Sequence, residues 1–128
     1  MQLKSFLFAA FCLFTVAACR DHDHDEDSNA PVVTINSPAE NASVSGEVHV
    51  ECTATDASLH EMEVKVTKDS DGSELFKQNP TVHDETEYDF HEHFTPSVAA
   101  ETAVTLTVTV SDHSDNTTVK TLKFTVKP

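Results

Sequence analysis

Residues 47–55 read Glu47-Val48-His49-Val50-Glu51-Cys52-Thr53-Ala54-Thr55. Val48, Val50, Cys52 and Ala54 are apolar or small, and the residues between them are polar. Successive side chains of an extended chain point to opposite faces. The stretch therefore predicts a strand with one buried face and one solvated face. The same period of two recurs on both sides of it. His60–Thr67 turns Met62, Val64 and Val66 inward; Glu85–Phe94 does so with Tyr88, Phe90 and Phe94. Ala103–Val110 buries Val104, Leu106, Val108 and Val110, and Thr118–Val126 buries Leu122, Phe124 and Val126. Val32–Asn36 and Glu74–Gln78 read as shorter strands.

Turn chemistry separates these runs. It lies at Ser37–Asn41, at Lys68–Ser73 with Gly72 as its left-handed glycine, at Asn79-Pro80 and at Asp112–Asn116. Only Ser97–Thr102 leaves room for a turn of helix. Seven short strands in about a hundred residues predict an all-β fold, a seven-stranded Greek-key β-sandwich over residues 31–128. Glu92 interrupts the pattern, because it falls at core parity between Phe90 and Phe94. A strand end, a bulge or a register slip is expected there.

Upstream of the sandwich the chain changes character twice. Lys4 precedes Phe6–Ala18, a run without charge. It is shorter than the roughly 20 apolar residues that cross a bilayer and fits the apolar core of an export signal over residues 1–18. Residues 20–30 read RDHDHDEDSNA, with no apolar residue before Ala30. Such a tract has nothing to bury and is expected to be a disordered tether. Eleven extended residues reach at most about 35–40 Å.

Val16-Ala17-Ala18-Cys19 resembles a lipobox, the processing site of bacterial lipoproteins. The resemblance implies cleavage before Cys19 and acylation of its thiol and new N-terminus. The implied mature chain has 110 residues, and loss of Lys4 leaves seven basic against 22 acidic side chains, a net of −15. Two or three acyl chains at about 0.8 kcal/mol per buried methylene would hold it on a membrane. The acids after Cys19 (Asp21, Asp23, Asp25, Glu26 and Asp27) resemble a surface-export signal of Gram-negative lipoproteins. Arg20 differs from the aspartate that retains lipoproteins in the inner membrane. An outer-membrane, surface-exposed location is what these likenesses imply.

The strand layout resembles immunoglobulin-like and fibronectin-type-III-like domains of bacterial surface proteins. The likeness rests on Pro38-Ala39-Glu40-Asn41, Ala54-Thr55-Asp56, and Val110-Ser111-Asp112 with Asn116. Antibody hallmarks are missing: there is no Trp, and Cys52 is left without a partner once Cys12 is cleaved and Cys19 is acylated. The whole chain also resembles an uncharacterised lipoprotein family (domain of unknown function 4625), with Tyr88-Asp89-Phe90-His91-Glu92-His93-Phe94 matching its His-rich segment.

The negative charge disfavours nucleic acid as a partner. Gly46 and Gly72 are the only glycines, so no Gly-rich phosphate loop exists, and no nucleophile–base pair is legible. A small sandwich has no deep cleft by default. An enzyme is not expected. Cys52, at core parity, reads as a small buried hydrophobe.

His91 and His93 lie two residues apart on one predicted strand and share a face. Asp89 shares it too. In a sandwich of this type the fifth strand usually pairs antiparallel with the second, which brings His49 and Glu51 alongside. His49, Glu51, Asp89, His91 and His93 then form a patch suited to a transition metal such as zinc, copper or nickel. His83 and Asp84 add to that patch or decorate a loop. His22 and His24 in the tether form a weaker set for the same metals. Asp112–Asn116 offers oxygen atoms to calcium, but without EF-hand spacing it reads as a turn that needs no ion. Two functions stay open. One is an anchored binding or adhesion module for a protein or glycan; the other is a metal-binding lipoprotein of the envelope.

Overall fold

The computed structural model describes residues 28–128. The expectations for the export signal, for Cys19, and for His22 and His24 lie outside the described residues. The rest is an all-β sandwich of eight strands in two sheets. The strands are β1 (Val32–Ser37), β2 (Ser43–Ser45), β3 (Val48–Thr55), β4 (Leu59–Lys68), β5 (Glu74–Gln78), β6 (Glu87–Phe94), β7 (Thr102–Asp112) and β8 (Thr117–Lys127). The orders are β1-β3-β6 and β2-β8-β7-β4-β5. All pairings are antiparallel except β2 with β8.

The strand that decides the fold behaves as its alternation dictates. Val48, Val50, Cys52 and Ala54 are buried, and His49 faces solvent. The opposite sheet supplies Val64, Val66, Val104, Leu106, Val108, Val110 and Val126, all fully buried. β-Branched residues dominate because they pack well on a pleated surface. Burial raises the Cys52 thiol to about 11, which keeps it protonated and inert.

Three sequence expectations change. The eighth strand, β2, is only three residues long and too short to show a period. It lies where the chain passes from one sheet to the other, pairing Val44 with Val126. Ser97–Thr102 forms no helical turn, and no helix occurs among the described residues. Glu92 causes neither a bulge nor a slip. The β3–β6 register runs unbroken from Val48↔Phe94 to Thr55↔Glu87. Glu92 is exposed because β6 is the edge of its sheet, where an inward-parity side chain can still reach water.

Gly72 takes the expected left-handed conformation at φ 72°. One pole of the sandwich gathers the β3–β4 turn, the loop before β6 and the β7–β8 turn. Backbone hydrogen bonds sew these together: Asp56 N to Thr86 O, Leu59 N to Glu85 O, Asp84 N to Leu59 O, and His113 N to Ser58 O. Val82, 1% exposed, pins the loop before β6 into the core. The chain enters the domain at this same pole, where Thr118 Oγ1 donates to Pro31 O and Asn116 Nδ2 donates to Asn29 O.

Candidate metal centre

On the solvated face of the three-stranded sheet, β3 presents His49 and β6 presents His91 and His93. The register places His49 opposite His93, and Glu51 opposite His91. One ring nitrogen from each of the three histidines lies within 4.8 Å of the other two. Ring centroids are 4.0 Å apart for His49–His93 and 4.8 Å for His91–His93, the latter pair stacked. Nitrogen ligands 2.0–2.1 Å from a tetrahedral ion sit about 3.3 Å from one another. Rotation of the exposed rings must close that gap, most of all between His49 and His91, whose centroids are 6.3 Å apart.

The five residues singled out in the sequence divide. The three histidines converge. The Glu51 carboxylate lies 3.3 Å from His91 Nε2, in position to hold that ring. Asp89 is not gathered with them: it lies opposite Thr53 and accepts a hydrogen bond of 2.9 Å from Thr53 Oγ1. Sequence reasoning missed Glu47, whose carboxylate reaches both His49 Nε2 at 3.3 Å and His93 Nδ1 at 3.1 Å. It precedes β3 and follows Gly46 at φ 74°, so strand parity could not assign its direction.

The sequence also missed a second triad. His60, His83 and His113 bring ligand nitrogens within 4.8 Å of one another, at the pole where the loops meet. His83 and Asp84 belong here rather than to the β3–β6 patch. His60 is at core parity with Met62, yet it does not enter the core. The pairing shifts between Leu59↔Asp112 and Glu61↔Ser111, so His60 is the extra residue of a β-bulge and its ring turns outward. The interval of three between buried Leu59 and Met62 was the available clue.

His113 is positioned by Asp112, which is buried. Burial acts to raise the Asp112 carboxyl. Hydrogen bonds from the Asn116 side chain and amide and from the Ser114 amide outweigh it and hold the pKa below the ordinary carboxylate value. The turn is an Asx turn whose carboxylate is already satisfied, in keeping with the reading that it needs no ion. A cleft of about 510 Å³ opens beside this triad, lined among others by His60, His83, Glu63 and Asn79. It lies between β4 and the segment before β6 and is open to solvent, so the expectation of no deep cleft is not overturned.

The six histidines of the described residues thus fall into two triads, with none left over. Fold and sites together define an immunoglobulin-like β-sandwich with two surface histidine clusters. Residues 31–90 match the family described as Bacterial Ig domain. No curated protein matches the chain. Among solved structures the chain is similar to an engineered protein, with 20% identity, coverage of 77% of this chain and a TM-score of 0.56. It spans 20% of that protein's length. It is also similar to CopC from Methylosinus trichosporium OB3b, with 12% identity, 76% and 95% of the two chains covered and a TM-score of 0.50. The CARDB domain of the PF1109 protein from Pyrococcus furiosus, solved in complex with di-metal ions, matches at 15% identity over 76% of this chain and 85% of that one, with a TM-score of 0.44. Likenesses at such identities show the fold alone.

Proposed function

We propose that this chain is an envelope lipoprotein, anchored through Cys19, whose immunoglobulin-like domain binds a divalent transition metal through His49, His91 and His93. One observation carries the metal reading: three imidazoles from two paired strands converge on one point, with Glu47 and Glu51 against their rings. Imidazole nitrogen suits zinc, copper and nickel. Carboxylates beside ligating histidines orient the rings and raise their basicity. The net charge of −14 for the whole chain draws cations toward the surface. The metal reading has a defined donor set, and this favours it over a purely adhesive module.

The test is thermal melting of the full chain, purified in detergent, with added zinc or copper. A site filled at 100 times its dissociation constant adds about 2.7 kcal/mol of stability. We expect an upward shift that His91→Ala with His93→Ala reduces. A wild-type shift that this pair leaves untouched would exclude the β3–β6 face. The anchor is tested separately, by whether Cys19→Ala frees the chain from membranes.

A further inference from the structure

We propose that His60, His83 and His113 form a second divalent transition-metal site, independent of the first, with Asp84 as its positioning carboxylate and one coordination position open toward the adjacent cleft.

The argument begins with His113, both of whose ring nitrogens are engaged. Its Nε2 lies 2.9 Å from Asp84 Oδ1, and its Nδ1 lies 3.1 Å from His60 Nδ1. A carboxylate accepts but does not donate, so Asp84 beside Nε2 favours the His113 proton there and the lone pair on Nδ1. That lone pair points into the triad. Carboxylate, imidazole and metal in series is the arrangement by which proteins orient histidine ligands.

The His60–His113 spacing is already that of two ligands. Nitrogens 2.0–2.1 Å from a shared ion are separated by about 2.9 Å at right angles and about 3.3 Å at the tetrahedral angle. The observed 3.1 Å falls between them. His83 completes the triad, with ring centroids 4.6 Å from His113 and 5.3 Å from His60. Its Nε2 lies 3.5 Å from the second Asp84 oxygen. Asp84 stands at φ 65°, a left-handed conformation that aspartate tolerates, and its amide is tied to Leu59 O.

The loops that supply the ligands are fixed before any ion arrives. His113 itself, and the neighbours Leu59 of His60 and Asp84 of His83, are bonded to another segment of the pole, and the bulge fixes the exit direction of His60. Little chain ordering is left for binding to oppose. Three protein ligands leave a fourth position on a tetrahedral ion. His60 and His83 line the cleft, so the open position faces a space that admits water or a small anion.

The test uses the full chain in detergent with His22, His24, His49, His91 and His93 all changed to alanine, leaving only the second triad. Cobalt(II) is the probe, followed by visible absorption. One equivalent should bind, and azide should shift its bands by entering the open position. Absence of binding would overturn the site; bands indifferent to azide would overturn the open position. His113→Ala in the otherwise intact chain provides a control for folding, and should lose one of the bound equivalents; an unchanged stoichiometry would refute the proposal. Asp84→Asn, which keeps the left-handed conformation, should weaken zinc 10–100-fold. Long-range proton–nitrogen NMR should place zinc on His113 Nδ1 and the proton on Nε2, and zinc on Nε2 would sink the role of Asp84. The converse chain, with His60, His83, His113 and the tether histidines removed, reads the first site alone, so failure of one leaves the other separately measured.

Discussion

The two histidine triads use the same side chain on different supports. His49, His91 and His93 sit on a flat ladder, where pairing register alone brings them together. His60, His83 and His113 come from a bulged strand start and two loops, held by crossed backbone hydrogen bonds. Exposure does not separate them: the side chains are 50%, 55% and 41% exposed in the first triad and 40%, 54% and 35% in the second. What differs is that His113 has a partner at each ring nitrogen. A sheet face aligns ligands by register alone, with Glu47 and Glu51 against its rings. A loop pole needs more structure to align them, and there Asp84 and the His60 ring lie against the two nitrogens of His113. The second site should therefore be the tighter and more selective of the two.

The most damaging test of this contrast removes one triad at a time. Alanine at all three histidines of either cluster should abolish one metal equivalent and leave the other intact, as measured by zinc titration calorimetry. Loss of both from one set would mean a single shared site.

Carboxylates beside the rings should differ next. Asp84→Asn is expected to cost 10–100-fold in affinity at the second triad. Glu47→Gln should cost less at the first, because its contacts with His49 and His93, at 3.3 and 3.1 Å, are longer than the 2.9 Å between Asp84 and His113. Equal losses would erase the distinction between the two supports.

Acid should then separate the supports themselves. The folded Asp112 pKa lies below the model-compound value of 3.8, so its stabilising effect is complete above that value and fades as pH falls through the folded value. Melting curves of wild type and Asp112→Asn should differ above the ordinary carboxylate pKa and converge as acid protonates the folded carboxyl. A gap that persists in acid would show that the turn holding His113 does not depend on this charge.

The smallest effect is expected at the edge of the first triad. Thr53→Val releases Asp89 from its hydrogen bond without changing side-chain shape. A carboxylate freed beside the ladder should tighten zinc by only a few-fold, since Asp89 also stays within reach of water. A gain as large as the Asp84 loss would return Asp89 to the ligand set.

Much of this contrast could be read in advance, and the limit has a physical cause. Period-two alternation assigned β3, β4, β7 and β8, and sandwich topology placed β3 beside β6. His49 and His93 then followed, because ladder geometry is regular. The second triad depends on a bulge at His60, on left-handed backbone at Asp84, and on hydrogen bonds between loops distant in sequence. None of these has a period. Glu47 escaped for a related reason: it sits just outside the strand whose parity would have oriented it. Glu92 misled because parity predicts a direction but not whether a neighbouring strand covers it.

The contacts of Thr118 with Pro31 and of Asn116 with Asn29 fix the pole at which the chain enters the domain. They bring the chain in beside the β7–β8 turn. If Cys19 is held in lipid, ten residues lead from it to this entry, a span of at most about 35 Å. The pole carrying His60, His83 and His113 is then the end nearer the tether, and the sheet end carrying His49 and His93 the farther one.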